Sequence, residues 1–386
     1  MSPNLSVCVI GAGPAGLAAA RALRAFQIPY IQLERHHQVG GIWDIDAPGG
    51  PMYESAHFIS SKTVSAYSQF PMPDHYPDYP SHRQIFQYLN EFADHYGLRE
   101  DVEFGVEVKS VTKNPDDTWQ VTRTDGTSSN HSAVIVCTGA QWHPNLPEIP
   151  GEFSGEVIHS RDYRSAQSLI GKRVLVVGAG NSGCDIACDA ARSAAKAHLS
   201  LRRGYWFIPK HIFGQPVDVF AAGGPKLPLR VKQAIFEKML NVLHGSPERL
   251  GLPAPDHRLF ESHPIINSQL WHHLQHGDIT PHRGIKSTSG NTVEFSDGTS
   301  AEIDLIIAAT GYRHLVPVAQ EYFGDEQHPD LFLTAFSRQH HNLFGIGYTE
   351  TNSGAYELFD TLALLIGNYL NAQRRAATTA DQFSEI

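Results

Sequence analysis

The chain has 386 residues, of which 41% are hydrophobic, and this is enough for two or three domains with buried cores. Its formal net charge of -10 argues against a broad surface for nucleic acid or anionic membranes, since both require clustered Lys and Arg, and it favours small-molecule partners. Four cysteines in a chain of this length argue against a disulfide framework.

The N-terminal residues MSPNLSVCVIGAG lack the basic start, long apolar core and cleavage site of a signal peptide, which predicts a cytoplasmic protein. No uninterrupted apolar run approaches the roughly 20 residues that a membrane-spanning helix needs. We therefore expect neither nucleic-acid nor membrane partners. A homodimer is compatible with the sequence.

The first predicted strand (LSVCVI, residues 5–10) runs into Gly11-Ala12-Gly13-Pro14-Ala15-Gly16 and then a predicted helix. Strand, GxGxxG and helix in this order are typical of a dinucleotide-binding unit, in which the glycines allow a tight turn, close approach of a pyrophosphate and close helix packing. The next predicted strand, PYIQLE, ends in Glu34, which is 34 minus 11, or 23, positions beyond Gly11. An acidic residue at this distance binds a ribose hydroxyl.

The same pattern returns at KRVLVVG, followed by Gly178-Ala179-Gly180-Asn181-Ser182-Gly183 and a second predicted helix. The strand after it, AHLSLRR, ends in Arg202 and Arg203, where the first unit has Glu34. Arginines at this position suit a 2′-phosphate, so the sequence favours NADPH over NADH as the second ligand. The alternative is that these arginines are only surface residues.

Shorter patterns predict local structure between and after the loops. Residues 134–139 (VIVCTG) and 305–312 (LIIAATGY) are predicted strands that close the two units. Turns are predicted at Asp125-Gly126 and Asp297-Gly298, and Ser81 with Gln84 is predicted to cap a helix. Residues 204–281 match no motif beyond one amphipathic helical stretch, which we expect to cap the second unit. His272, His273 and His276 lack a further ligand at metal-binding spacing, so we expect no metal site.

Residues 153–163 (FSGEVIHSRDY) lie between the two loops and place Phe153, Gly155, His159 and Tyr163 in the pattern FxGxxxHxxxY. Together with GAGPAG, the GGIW at residues 40–43, GAGNSG and the ATGY at residues 309–312, this pattern makes most of the chain resemble the class B flavin-containing monooxygenases. In the related Baeyer–Villiger enzymes the last aromatic of the pattern is usually Trp. Tyr163 therefore favours the branch that oxygenates nitrogen or sulfur.

The resemblance implies two doubly wound α/β domains, with the second inserted into the first. Residues 1–150 and 310–386 would bind FAD, and residues 151–309 would bind NADPH and include a helical insertion at about 204–281. NADPH would reduce the flavin, O2 would form a flavin 4a-hydroperoxide, and a soft nitrogen or sulfur centre of a small molecule would take one oxygen atom. The signature FxGxxxHxxxY would lie at the junction of the domains, where Gly155 permits a turn.

Because the cofactor carries the chemistry, the sequence identifies no catalytic residue. The predicted cofactor-binding residues are those of the two loops, the ends of the following strands and the GGIW and Thr-Gly motifs: Gly11, Ala12, Gly13, Pro14, Ala15, Gly16, Glu34, Arg35, Gly41, Ile42, Trp43, Val108, Thr138, Gly139, Gly178, Gly180, Asn181, Ser182, Gly183, Arg202, Arg203, Ala309, Thr310 and Gly311.

One position departs from the family pattern. With Lys62 placed on the family's Lys, the family's flavin-side Asn falls on Ile59, whose side chain makes no hydrogen bond. Ser60 or Ser61 could supply a polar group instead. Ile59 leaves open an NADPH oxidase or a flavin-dependent reductase on the same fold, and a non-catalytic nucleotide-binding sensor is a third alternative.

Overall fold

The computed structural model describes residues 5–223, 227–262, 264–324, 329–349, 351 and 354–375. Two mainly parallel sheets form most of the structure. In each sheet, one interior strand runs into a glycine loop, and that loop leads into a helix. We refer to the sheet that contains residues 7–10, with its packed helices, as the first unit, and to the sheet that contains residues 173–177 as the second unit. The predicted α/β class with two doubly wound units is confirmed.

The first sheet has seven strands, and the five from Leu343–Gly345 onward are parallel. Their spatial order is Leu331–Phe332, Phe336–Ser337, Leu343–Gly345, Ala133–Val136, Val7–Ile10, Tyr30–Glu34 and Val102–Phe104. The strands Val7–Ile10 and Ala133–Val136 are buried throughout, as continuous apolar runs in a sheet covered on both faces should be.

The second sheet has five strands, all parallel. Their order is Glu156–His159, Leu305–Ala308, Arg173–Val177, Lys196–Ser200 and Ile279–His282. In both sheets the predicted Thr-Gly strand lies directly beside the strand that leads into the glycine loop. This position brings each Thr-Gly turn next to a loop.

Five smaller sheets of two to four strands accompany the two large sheets in the described part of the chain. The predicted Asp125-Gly126 turn joins the second and third strands of an antiparallel sheet, and the Asp297-Gly298 turn closes a predicted hairpin. The strands are Val108–Lys113, Trp119–Arg123 and Ser128–His131; Gly151–Phe153, Ile285–Gly290, Thr292–Phe295 and Ser300–Glu302; His143–Pro144 with Tyr312–Arg313; Phe207–Ile208 with Ile265–Ile266; and His211–Ile212 with Gln215–Pro216.

The α-helices are Pro14–Ala25, Lys62–Ser65, His82–His95, Asn181–Ser193, Val217–Ala222, Leu229–His244, Gln269–His276, Gln320–Phe323 and Tyr356–Arg374. Short 3-10 helices lie at Gly41–Trp43, Leu98–Asp101, Ala166–Leu169 and Pro247–Leu250. The capping box predicted for Ser81 and Gln84 is present at the start of His82–His95. No helix within the described part of the chain is long and apolar enough to cross a bilayer.

The helix Tyr356–Arg374 completes the first unit by packing on the helix Pro14–Ala25. The helix Pro14–Ala25 is rich in alanine, which lets Tyr356–Arg374 approach it closely. At the contact, a Cβ on Gly367 would lie 2.6 Å from the ring of Phe26. Arg21 and Asp360 form a buried ion pair across the same contact. Residues before and after the second unit therefore share one hydrophobic core.

The region 204–281 forms a small core of its own around Ile208, Ile212, Leu240 and Leu259. It also contacts the first unit, which the sequence did not predict. His211 Nε2 lies 3.0 Å from an Asp78 carboxylate oxygen, and the Asp218 carboxylate accepts a hydrogen bond of 2.6 Å from the Ser61 amide. The insertion therefore bridges the two units.

Candidate functional site

The first glycine loop has the geometry that a pyrophosphate cradle requires. Gly11 has a φ of +101°, and a Cβ there would lie 2.6 Å from the Cys137 carbonyl oxygen, so only glycine fits without strain. A Cβ on Gly16 would lie 2.0 Å from the Gly11 carbonyl oxygen, so the third glycine is required by helix packing. Gly13 faces more open space, with the Gly41 Cα at 3.4 Å as the nearest atom to an added Cβ.

Glu34 is tied to this loop. One of its carboxylate oxygens accepts a hydrogen bond of 2.6 Å from the Ala12 amide, and the other accepts one of 2.9 Å from the His36 amide. The side chain lines a cavity, and a carboxylate has lone pairs for further donors. Glu34 thus stabilises the loop and remains available to a ribose hydroxyl.

The second glycine loop repeats the first. Gly178 has a φ of +102°, and a Cβ there would lie 2.5 Å from the Ala309 carbonyl oxygen. A Cβ on Gly183 would lie 2.2 Å from the Gly178 carbonyl oxygen, whereas one on Gly180 would meet no atom within 4 Å. The Asn181 Oδ1 atom is buried in the protein without a hydrogen-bond partner. The open glycine at a helix N-terminus leaves room for a bound phosphate group, whereas the Asn181 oxygen is a hydrogen-bond acceptor and is not itself a phosphate ligand.

Arg202 and Arg203 follow the strand Lys196–Ser200, at the side of the second loop where a 2′-phosphate would lie. Both are exposed. The Arg203 guanidinium lies over the Tyr205 ring, 5.1 Å from its centre, which limits the conformations open to it. The structure thus provides two cations at the expected place.

Both glycine loops open into one cavity of about 1380 Å³. Every predicted cofactor-binding residue except Ala12 and Gly16 lines it. Those two lie behind the first loop, where Ala12 is fully buried and Gly16 packs on Gly11. Two nucleotides bound at the two loops could therefore meet in the same chamber.

The wall between the loops includes residues that the sequence did not single out. Met52, Tyr53, Phe58 and Tyr356 contribute apolar or aromatic surface, and the insertion contributes the residues Tyr205, Asp218, Ser262, Ile265 and Ile266. No local motif marks them, because they come from segments far apart in the chain. Ile59 is 40% exposed and lines this wall. Ser60 lines it as well, whereas Ser61 is fully buried outside the lining, which leaves Ser60 as the nearby polar group.

One carboxylate of the second unit also faces the chamber. Asp185 accepts hydrogen bonds of 3.0 Å from both the Tyr53 hydroxyl and the Asn267 side-chain amide. Burial raises the pKa of Asp185 to about 6, despite the opposing effect of the Lys210 charge. Asp185 can therefore gain or lose a proton near neutral pH.

Of the FxGxxxHxxxY residues, Phe153 and Tyr163 pack in cores of the second unit, and His159 bonds to the Thr-Gly turn that follows the strand Leu305–Ala308. His159 is 2% exposed; its Nε2 donates to the Gly311 carbonyl (3.1 Å) and its Nδ1 accepts from the Arg161 amide (3.1 Å). Burial lowers the pKa of His159, so the ring is neutral, as these two bonds require. Gly155 has no positive φ; it is needed because a Cβ would lie 2.6 Å from the Asp304 carbonyl oxygen. The chain bends at Gly155, between the strands Gly151–Phe153 and Glu156–His159, but the glycine is required by this close packing and not by a positive φ.

A family model described as FMO-like, flavin-binding monooxygenase-like, matches residues 4–337. The chain belongs to this family. The resemblance read from the motifs is thus confirmed at the level of the family.

Among the described residues there is no group of three or more His, Cys, Asp and Glu side chains that could hold a metal ion.

Curated relatives include mouse flavin-containing monooxygenase 5, which is 33% identical over 344 residues, covering 82% of this chain and 63% of that protein. Mouse dimethylaniline monooxygenase (N-oxide-forming) 4 is 34% identical over 338 residues, covering 82% of this chain and 60% of that protein. The chain thus spans somewhat less than two thirds of the length of these relatives.

Solved structures show the same fold at lower identity. A flavin-containing monooxygenase from Stenotrophomonas maltophilia superposes with a TM-score of 0.71 at 21% identity, covering 96% of this chain and 98% of that one. S-allyl-L-cysteine S-oxygenase from Allium sativum superposes with a TM-score of 0.70 at 21% identity, covering 99% of this chain and 81% of that one.

Proposed function

We propose that the protein is an FAD-dependent monooxygenase that uses NADPH to insert one oxygen atom of O2 into a soft nitrogen or sulfur centre of a small molecule. The observation that carries the proposal is the single chamber into which both glycine loops open. Two redox cofactors must meet for electrons to pass between them. The family membership and the names of the N-oxide-forming and S-oxygenase relatives support the same activity.

The residues of the first unit fit FAD. The Gly11–Gly16 loop leaves room at Gly13 for a pyrophosphate, and Glu34 offers a carboxylate to a ribose. Gly41, Ile42 and Trp43 line the chamber beside this loop. On this basis we assign residues 1–150 and 310–386 to the FAD domain.

The residues of the second unit fit NADPH. Gly180 leaves open space for the phosphates at the start of the helix Asn181–Ser193. Arg202 and Arg203 supply the positive charge that a 2′-phosphate requires. We therefore assign residues 151–309 to the NADPH domain, with residues 204–281 as an insertion that helps to form the chamber wall.

FAD, when bound and reduced by NADPH, activates O2 for transfer of one oxygen atom, and the second atom leaves as water. The protein's part is to position the two nucleotides, exclude water and manage a proton. Phe58, Ile59 and Tyr356 contribute apolar and aromatic surface to the chamber wall, which favours the exclusion of water once both nucleotides are bound. Asp185 can hold a proton at a carboxylate oxygen and is hydrogen-bonded to Tyr53, which orients it.

The test uses the purified full chain. We expect bound FAD, bleaching of its visible absorbance by NADPH without air, and one labelled atom in the product when the enzyme oxygenates an amine or sulfide under 18O2. A protein that takes up no FAD, or a product whose oxygen comes from water, would refute the proposal.

An NADPH oxidase on the same fold is the second candidate, and Ile59 is the observation that favours it. A side chain without hydrogen-bonding groups lies where a family Asn is expected, and fixed polar groups help to control oxygen chemistry in a site. An oxidase would oxidise NADPH and reduce O2 to one H2O2 per NADPH, even with amines and sulfides present. A monooxygenase would form oxygenated product at the expense of peroxide.

A further inference from the structure

Residues 49–57, here called the crossing segment, leave the first unit and return to it. Upstream, Gly41–Trp43 lines the chamber beside the first loop, and downstream, Phe58 belongs to the core of the first unit. Between them, Met52, Tyr53 and Ala56 are buried in the core of the second unit. A piece of the first unit is therefore built into the second.

Hydrogen bonds hold the crossing segment to the residues around the end of the FxGxxxHxxxY pattern. The Glu54 amide donates to the Arg164 carbonyl at 2.9 Å, and the Arg164 guanidinium donates to the Gly50 carbonyl at 2.7 Å. The Arg161 side chain donates to the Gly49 carbonyl at 2.9 Å. The crossing segment and the residues around the end of the signature thus form one hydrogen-bonded piece.

The helix Asn181–Ser193 meets this piece through two carboxylates. Asp185 and Asp189 are four residues apart, so they lie on one face of the helix. Asp185 accepts from Tyr53 of the crossing segment. Asp189 is 5% exposed and accepts from Ser55 (2.5 Å), Tyr163 (2.9 Å) and Arg192 (3.1 Å).

We propose that Asp189 is a positioning residue that sets the relative placement of the two nucleotide-binding units through its hydrogen bond to Ser55, with the Tyr163 hydroxyl, in the core of the second unit, holding the same carboxylate oxygen in place. The helix that carries it begins at the second glycine loop, and the crossing segment continues directly into the chamber wall at Phe58 and Ile59. This inference rests on the proposed function: by fixing the placement of the two units, Asp189 determines how NADPH aligns with the flavin. It also explains the hydroxyl of Tyr163, the last residue of the signature, because that hydroxyl donates to Asp189.

Asp189→Asn tests the proposal with little change of volume. The amide replaces one acceptor oxygen by a donor, which would face hydroxyl or guanidinium donors. We expect unchanged FAD content and unchanged reduction by dithionite, but at least about a tenfold lower rate constant for flavin reduction by saturating NADPH, because misplacing reactants by an ångström can cost about a hundredfold. Ser55→Ala and Tyr163→Phe should each give a smaller loss, and neither should add fully to Asp189→Asn.

Asp304→Asn is the matched control. Asp304 accepts two hydrogen bonds from the Arg173 guanidinium, at 2.6 and 2.9 Å, entirely within the second unit. Its loss should lower the melting temperature and leave the reduction rate constant at the parental value. The positioning role is overturned if Asp189→Asn also lowers the melting temperature and leaves the rate constant for flavin reduction unchanged. It is overturned as well if the flavins of Ser55→Ala and Tyr163→Phe are both reduced at the parental rate.

Hydrogen–deuterium exchange gives a readout that needs no NADPH. Backbone amides of residues 49–57 should exchange faster in Asp189→Asn than in Asp304→Asn; equal exchange overturns the proposal. If the parent flavin is not reduced by NADPH, the proposed function fails, and the exchange comparison still decides whether Asp189 holds the units together. If NADPH does reduce the parent flavin, an unchanged reduction rate constant overturns the positioning role even where exchange rises.

Discussion

Replacing Arg202 and Arg203 by Ala should remove the preference for NADPH over NADH. Both guanidinium groups line the chamber beside the second glycine loop and are otherwise exposed. The 2′-phosphate distinguishes the two ligands, so only NADPH should be affected. NADH has no group there to lose.

The magnitude follows from the number and setting of these contacts. A hydrogen bond to a charged group contributes about 1.5 to 3 kcal/mol, and exposure places each arginine at the lower end of this range. About 1.4 kcal/mol is tenfold in affinity, so each single variant should bind NADPH about tenfold more weakly. The two residues are adjacent and would share one phosphate, so the double variant should fall short of a hundredfold. Arg203, which is held over the Tyr205 ring, should show the larger effect.

Anaerobic stopped-flow reduction of the flavin, at a series of NADPH and NADH concentrations, gives the dissociation constant for each ligand. Arg338→Ala is a suitable control, because that exposed arginine pairs with Asp330 and does not line the chamber. Equal losses for NADPH and NADH would mean that the arginines do not bind the 2′-phosphate. An unchanged affinity for NADPH in the double variant would refute the assignment outright.

Three further outcomes are expected. Gly13→Leu should fold but carry little FAD, measured as visible absorbance per chain, because its side chain would fill the space at the first loop; full flavin content would contradict the cradle. Ile59→Asn should lower the amount of H2O2 formed per NADPH oxidised, and a parent that already forms negligible peroxide would contradict this. The pKa of Asp185 is raised to about 6 from 3.8, so the folded state binds this proton more tightly and gains up to about 3 kcal/mol as the pH falls from 7 to 4. Asp185→Asn should therefore flatten the dependence of the melting temperature on pH in that window, and an unchanged slope would show that the carboxylate is not buried as described.

The two nucleotide units could be predicted because their signals are local. A strand, three glycines and a helix occupy neighbouring positions, and the backbone contacts of Gly11 and Gly178 are dictated by that short stretch. Glu34 was also predicted from its distance to the loop, but its hydrogen bond to the Ala12 amide was not, because a motif carries no information about a side chain's second partner.

The chamber wall and the junction could not be predicted in this way. Asp218 meets the Ser61 amide, and Ser55 meets Asp189, across long separations in sequence. No periodicity or spacing links such residues; only the packed structure brings them together. Gly155 shows the same limit in part, since an added Cβ would meet the carbonyl of Asp304, far along the chain, as well as the ring of the nearby Phe153.

The return of the chain to the first sheet has a consequence for biosynthesis. The strand Leu343–Gly345 pairs with Ala133–Val136, and the helix Tyr356–Arg374 covers Pro14–Ala25. On the ribosome, the second sheet can be completed while the first still lacks both partners, and pairing of strands so far apart in sequence is slow. Translation that stops near residue 310 would leave Ala133–Val136 with an open, apolar edge, a ready template for aggregation. The sheet that carries the first nucleotide cradle is therefore completed only after residues 343–374 have been synthesised.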